Sequence, residues 1–427
     1  MADVVIVTPN PAIDVTYRVD DQTPGETHRV REISRRPGGK GINVARGLEA
    51  LGHSTMSVLP LGGASGAWIS DALTDLGLAH SITAIDGLTR TTVTVTDDAS
   101  HPTVFTEAGP IVAASEWDAL IADTARLLTG ARMLIISGSL PPAADTTIVS
   151  TLVARARDAG VPVLVDASGD ALLAAAAAGA DVVKPNQQEL LEATHAGSPD
   201  EAITQLLDSG ARTVVVSRGV DGLIATTTVA TAVPAATALA TATAAAPASA
   251  TATPAAAIAT TVPARATAFS ATAAVTAAAV TTAIEPGTHS FAVPAISGVH
   301  GNPTGAGDAA TAGLAAALLD GLSLEDALRW AAALGAAAVL RPVAGEVDID
   351  AFHRFLRPTP IATSPGTSSP DSHSAPDSHS STPDSSSAHD SYAAPGSNAT
   401  PESSSAPDSP STPESHPAPR HPLRPSH

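Results

Sequence analysis

Short, almost continuous apolar runs recur along this chain, separated by stretches long enough to hold a helix. Met133-Leu134-Ile135-Ile136, residues 161–165, Asp181-Val182-Val183 and residues 213–216 have the pattern of strands covered on both faces. Ala/Leu-rich segments with helical spacing lie among them, at 41–51, 145–159, 171–178, 199–207, 305–319 and 323–340. This alternation, running from residue 4 to about residue 356, predicts an α/β fold: a doubly wound, mostly parallel sheet with helices on both faces. Two stretches depart from it. Residues 15–35 and 91–106 are polar and alternating, the second with a Thr-Val-Thr-Val-Thr run, and predict a small half-exposed β-sheet outside the main core, its strands within 15–35 and 89–107.

Two further regions break the pattern through composition. Residues 229–284 are almost entirely Ala, Thr, Pro and Val with scarcely any charge, which predicts a low-complexity insertion. Its prolines and threonines, and its shortage of Leu, Ile and Phe, argue against a membrane span. From residue 357 to 427 the chain shifts to Ser, Pro, Asp, His and Thr, with Pro-Asp-Ser-His-Ser at 370–374 and again at 376–380, a composition that predicts a disordered tail. One domain over 1–356 plus these additions is therefore expected.

Charge and composition narrow the partners. There are 42 acidic against 22 basic residues, a net of −20, which argues against nonspecific binding to nucleic acid or to an anionic membrane. Any phosphate site must then be locally basic. No cysteine is present, so disulfides, thiolate chemistry and cysteine-ligated zinc are excluded. The N-terminus lacks the basic and long apolar regions of a secretory signal, and a cytoplasmic location is expected.

The richest chemistry lies near the end of the foldable part, in Asn302-Pro303-Thr304-Gly305-Ala306-Gly307-Asp308, at the start of a predicted helix. Glycines let main-chain N–H groups crowd an anion, and the helix N-terminus adds its positive end. Gly305, Ala306 and Gly307 are the candidate anion hole. Asp308 cannot itself bind phosphate, so its useful role there is to take a proton from a hydroxyl attacking a phosphoryl group. The helix N-terminus favours its ionised form by about 0.3–1 kcal/mol, so an ionised, weak base is expected.

A second glycine cluster, Pro37-Gly38-Gly39-Lys40-Gly41-Ile42-Asn43-Val44-Ala45-Arg46, also runs from loop into helix, and Lys40 and Asn43 offer donors to a hydroxylated or phosphorylated ligand. Asn10-Pro11-Ala12-Ile13-Asp14 follows the first strand, where loops of open α/β sheets bind ligands, and Asp14 can accept two hydroxyl hydrogen bonds. Lys184-Pro185-Asn186-Gln187-Gln188-Glu189 follows another strand. Asn186 and Glu189 face one way on a starting helix, where they can order Mg²⁺ and its waters; the same spacing is also that of a capping box. Ser217-Arg218-Gly219-Val220-Asp221-Gly222, taken alone, reads as a turn between strands.

The order and spacing of these segments, with Ser137-Gly138-Ser139-Leu140-Pro141, resemble the PfkB-type branch of the ribokinase-like carbohydrate kinases over residues 1–355 outside the insertion. Within it they match best the hexose-phosphate kinases: 1-phosphofructokinase, tagatose-6-phosphate kinase and the minor 6-phosphofructokinase. The resemblance implies ATP as co-substrate, Mg²⁺, and phosphoryl transfer to a hexose phosphate. It implies that Asp14, Gly39, Lys40 and Asn43 hold the sugar while Arg90 and Ser139 contact its phosphate, with Arg29 or His28 as further candidates across a dimer. It implies that Lys184, Asn186, Ser217 and Gly219 serve ATP, and that Glu189 with Asn186 holds the metal through water. A guanidinium fork suits phosphate, although Arg90 on its own also reads as a solvated edge charge. Asn302-Pro303-Thr304 stands where the wider family often has Asp-x-x. Other acceptors, such as a nucleoside or an unphosphorylated sugar, and a binding module without turnover are the alternatives. The open edges of the polar strands admit a homodimer.

Overall fold

Alternate residues of the apolar strands face two different helical layers, and this alternation organises the molecule. A computed structural model of the chain describes residues 2–97, 102–228 and 287–357. The strands are β1 (Val4–Val7), β2 (Ala12–Arg18), β3 (Glu32–Gly38), β4 (Thr55–Leu61), β5 (His80–Ala84), β6 (Arg90–Thr96) and β7 (Thr103–Thr106). They continue as β8 (Met133–Ser137), β9 (Val163–Asp166), β10 (Val182–Val183), β11 (Thr213–Ser217), β12 (Leu223–Thr228) and β13 (Thr288–Val293). The helices are α1 (Lys40–Ala50), α2 (Gly63–Asp75), α3 (Ala114–Leu127), α4 (Thr147–Asp158), α5 (Asp170–Ala177), α6 (Gln187–Thr194) and α7 (Pro199–Ser209), then α8 (Ala306–Leu319), α9 (Leu324–Val339) and α10 (Ile349–Phe355).

A nine-stranded sheet runs in the order β13-β12-β11-β10-β9-β8-β1-β4-β5. All its pairings from β11 to β5 are parallel, and β12 lies antiparallel to both of its neighbours. Val5, Val7, Leu134, Ile136, Val165 and Val216 pack under α3, α4, α5 and α7. Val4, Ile6, Met133, Ile135, Leu164 and Val215 face α1, α8, α9 and α10. Period-two alternation thus gives both layers a core, as the apolar runs predict.

Helix α8 is buried from Asp308 to Leu319, so no polar face is available to it, and its sequence is apolar all round. It packs closely on α1, where a Cβ on Gly47 would come 2.7 Å from the Cβ of Ala312. One turn earlier on the two helices stand Asn43 and Asp308.

The polar stretches form the expected separate sheet, in the order β3-β2-β6-β7. Asp14 pairs with Arg36 on one side and Thr92 on the other, and Ala12 pairs with Gly38 and Arg90, so Asp14, Arg36 and Arg90 share one face. The strands at 12–18 and 32–38 flank residues 19–31, a finer division than the single polar stretch at 15–35.

The predicted insertion at 229–284 and nearly all of the predicted tail at 357–427 lie outside the described residues. The insertion's junctions are nonetheless defined. Thr228 and Thr288 are register partners, and β12 runs back from Leu223, opposite Ser217, toward Thr227, opposite Thr213. The chain therefore leaves and returns at the end of the sheet away from Ser217. Among the described residues no helix is long and apolar enough to cross a membrane.

Candidate active site

Strand order reverses between β1 and β8, and the loops beyond the C-terminal ends of these strands open a crevice there. Asn10, Ser139, Asp166, Lys184, Asn186 and Ser217 all follow or close strand ends on this side, and Asp14 lies near the start of β2 in the small sheet. The N-termini of α1 and α8 point into the same place. Gly305 caps α8 in the left-handed conformation at φ 83°, where a Cβ would stand 3.1 Å from the Cα of Ala344, so the tight cradle at 305–307 depends on glycine.

Asp308 lies in the first turn of α8, 8% exposed, and accepts a hydrogen bond from Asn43 Nδ2 at 2.9 Å. Its pKa is raised from 3.8 to about 7, first by burial and then by the charge of Asp166; the Asn43 bond, Lys40 and Lys184 act in the opposite direction. The helix N-terminus by itself favours the ionised carboxylate. Burial outweighs that and holds the Asp308 carboxyl near neutral pH, a value suited to general-base work.

Lys40 stands at the centre of a chain of charges. Its Nζ donates to Glu189 Oε1 at 3.0 Å and lies 3.6 Å from Asp166 Oδ1. Asp166 also lies 3.2 Å from Lys184 Nζ and accepts from Thr311 Oγ1 at 2.5 Å. Burial works to raise the Asp166 pKa, but Lys184 and then Lys40 outweigh it and hold the carboxyl low. Burial likewise opposes the charge of Lys40, and Asp166, Glu189 and Asp308 more than offset it, raising its pKa. Lys184, on the loop after β10, is 2% exposed, with its ammonium against Asp166.

Asp14 sits against the Gly38-Gly39 turn, close enough that a Cβ on Gly38 would overlap its carboxylate. Burial pushes its pKa from 3.8 to about 6, against the charge of Arg90 and a hydrogen bond from the Gly39 main chain. Arg90 is not a solvated edge charge: Nε and Nη2 donate to Asn10 O at 3.1 and 3.0 Å, and Nη1 donates to Glu107 O at 3.0 Å. Ser139 is exposed on the loop after β8, next to Gly138, where a Cβ would lie 4.0 Å from the Cβ of Lys40. His28, bonded to the Thr23 carbonyl, and Arg29 lie on the exposed loop between β2 and β3.

On the far side, Asn186 and Glu189 form a full capping box. Asn186 Oδ1 accepts from Glu189 N at 2.8 Å, and Glu189 Oε2 accepts from Asn186 N at 3.0 Å. Asn186 also bridges to Ser217, which brings it beside the turn holding Gly219. Among the described residues no three His, Cys, Asp or Glu side chains cluster as a ready metal cage. Glu189 has both oxygens engaged, by Lys40 and by Asn186 N, an arrangement that suits an outer role toward Mg²⁺, which keeps several waters and takes its other ligands from phosphates.

Asp166 and Thr311 were missed from sequence. The one available signal was an acidic residue ending the wholly apolar Val163-Leu164-Val165 run. Thr311, three residues beyond Asp308, carried no signal apart from that spacing.

Comparison with solved structures gives the same architecture. Phosphofructokinase-2 from Escherichia coli in complex with potassium is 26% identical, with 83% of this chain and 98% of that chain covered at a TM-score of 0.64. The same enzyme in complex with fructose-6-phosphate matches at 26% identity over 83% and 98% of the two chains, TM-score 0.62. Ribokinase from Arabidopsis thaliana complexed with ribose and ATP shares the fold at 20% identity, with coverage of 84% and 100% and a TM-score of 0.56. The family model for pfkB family carbohydrate kinases matches residues 4–282 and 248–350. With an acid held at a helix N-terminus beside a glycine cradle, at the reversal point of a doubly wound sheet, the chain belongs to the pfkB family of carbohydrate kinases.

Proposed function

We propose that this chain transfers the γ-phosphoryl group of ATP to a hydroxyl of a hexose phosphate, with fructose 1-phosphate as acceptor and fructose 1,6-bisphosphate as product. The observation that carries this reading is Asp308: buried, hydrogen-bonded by Asn43, and set one residue beyond the Gly305–Gly307 cradle. The acceptor oxygen forms the new P–O bond while its proton passes to Asp308, and the bond from γ-phosphorus to the bridging oxygen breaks with its electrons leaving on ADP. Main-chain N–H groups of Gly307 and Asp308, and that of Ala306 once it leaves the Pro303 carbonyl, stabilise the charge on the moving group.

Asp14, Gly39 and Asn43 position the sugar, and Lys40 supplies positive charge near the transferred group. Arg90 and Ser139 take the sugar's phosphate; for this Arg90 exchanges carbonyl partners for phosphate oxygens. Asn186, Ser217 and Gly219 serve the nucleotide, with Lys184 holding Asp166 behind them. Glu189, with Asn186, holds Mg²⁺ through water, and the ion, when bound, neutralises charge on the nucleotide phosphates.

Fructose 6-phosphate is the second reading, favoured by the likeness to the Escherichia coli enzyme bound to that sugar. ATP consumption measured with fructose 1-phosphate, fructose 6-phosphate, tagatose 6-phosphate and ribose separates the two. The highest kcat/KM on fructose 1-phosphate supports the proposal, preference for fructose 6-phosphate selects the second reading, and ribose preference or no turnover rejects both.

Ile33 and Phe105, 53% and 60% exposed on the outer strands β3 and β7, offer an apolar surface for a homodimer through the small sheet. Sedimentation showing only monomer at working concentration would remove that part.

A further inference from the structure

Away from the reacting groups, three arginines, one from a strand, one from a helix and one from the carboxylate's own loop, converge on one carboxylate. Glu346 lies in the loop after α9. Its Oε1 accepts a hydrogen bond from Arg36 Nη1, on strand β3, and lies 3.8 Å from Arg46 Nη2, on α1. Its Oε2 accepts from Arg341 Nη2, at the end of α9, at 3.2 Å. Arg46 is the most enclosed of the three, with its side chain 13% exposed, and its Nη1 donates to Ala344 O at 3.2 Å.

The loop that carries Glu346 forms a wall of the site. Gly345 is left-handed at φ 75°, and a Cβ there would fall 2.5 Å from Asn43 Oδ1 and 2.8 Å from Arg46 Nη1. Ala344 backs Gly305. Asn302 Nδ2 donates to Pro342 O at 2.9 Å, which ties the loop to the segment leading into the cradle. Arg36 shares its face of the small sheet with Asp14, its direct cross-strand partner. A single carboxylate thus joins the sheet that carries Asp14 to the wall behind Asn43, Asp308 and Gly305.

The charges around it do not balance. Three guanidinium groups surround one carboxylate, and Arg46's pKa is lowered first by burial and then by Arg36, with Glu346 opposing. Without Glu346 the arginines of β3, α1 and the loop after α9 would repel one another with nothing between them, so the same residue that joins the sheet to the wall also prevents them from separating.

We infer that Glu346 is a positioning residue whose bond to Arg36 couples the placement of the small sheet, and with it Asp14, to the Asn43–Asp308 corner and the Gly305 cradle. The inference rests on the kinase reading for its kinetic consequence but not for its structural one. Glu346 is placed in neither the sugar nor the nucleotide contacts, so its loss is expected to act on turnover through geometry.

The test uses the full chain and two readouts. In E346Q the main-chain amides of residues 32–38 should exchange hydrogen faster, while those of β1 and β8 keep their wild-type rates. With the sugar phosphate that wild type uses best, kcat should fall about 10- to 150-fold, the factor set by loss of a charge-assisted hydrogen bond. KM for ATP should stay within about 2-fold, the tolerance of uncoupled sites. R36Q should reproduce both effects, and the double variant should be no worse than the more impaired single one. Unchanged exchange at 32–38, an equal rise in β1 and β8, or multiplying losses in the double variant would overturn the coupling. Should E346Q fail to fold, R36Q removes the partly exposed half of the same bond and decides by the same exchange criterion. If wild type shows no ATP consumption with any of the sugar phosphates tested, the kinase reading fails while the exchange comparison still decides the coupling.

Discussion

Protonation of Asp308 should set how the rate responds to pH. Its pKa is held at about 7, against 3.8 for an ordinary aspartate, by burial and then by the neighbouring Asp166 charge. Only the ionised form can accept the hydroxyl proton, so kcat/KM in the free enzyme follows the ionised fraction. One pH unit below the midpoint that fraction is about a tenth, and two units below it is about a hundredth. Measured between about pH 5 and pH 9, log kcat/KM should rise with unit slope and level off above the midpoint. The acceptor's phosphate titrates near pH 6, so a variant must separate the two. Asp166→Asn keeps a partner for Thr311 but removes the charge that raises Asp308, and the midpoint should move down.

Asp308→Asn supplies a second readout. Turnover should fall by about 10²–10⁴ with both substrates still bound. Stability should move the other way. A carboxylate whose folded pKa lies above its unfolded value holds its proton more tightly when folded, so folding stability declines as pH rises from 3.8 towards about 7. The gap corresponds to an upper figure of about 4 kcal/mol, so at pH 8 the neutral variant should unfold at higher denaturant than wild type. A profile flat down to pH 5, a midpoint indifferent to Asp166→Asn, or near-normal turnover in Asp308→Asn would refute the assignment.

Three further outcomes are expected. Lys40→Met removes the cation that joins Glu189 and Asp166 and lowers the Asp308 pKa, so its pH midpoint should rise above that of wild type while kcat at pH 7 falls; an unmoved midpoint would contradict the charge chain. Asp14→Asn should raise KM for the sugar phosphate by about 10-fold or more with a smaller change in KM for ATP, and equal changes in both would remove Asp14 from the sugar site. Gly47→Ala places a Cβ 2.7 Å from Ala312, so it should cost about 1–3 kcal/mol in chemical denaturation and lower kcat by parting Asn43 from Asp308; a wild-type denaturation midpoint would show that the two helices are not in such close contact.

Much of this molecule was legible along the chain because its signals are local. Apolar runs such as Met133-Leu134-Ile135-Ile136 mark buried strands, and Thr-Val-Thr-Val-Thr marks a sheet with one wet face. Gly305-Ala306-Gly307-Asp308 marks a helix entrance that main-chain N–H groups can line. Each depends on side-chain periodicity or on glycine's freedom within a few residues. Other features depend on which distant groups share a volume from which water is excluded. Asp308 titrates near neutrality because the fold buries it and places Asp166 nearby, whereas its own helix N-terminus argues for a lower value. Lys184 stands on the loop after β10, and only strand packing pairs it with Asp166. Arg36 and Glu346 stand 310 positions apart and meet only when β3 and the end of α9 are brought to one corner. Charge interactions grow with burial and fall with distance, and neither quantity is defined until the chain has folded. The sequence alone determined the elements and the residues able to do the chemistry; tertiary structure decided their ionisation, their partners and which of them face the crevice.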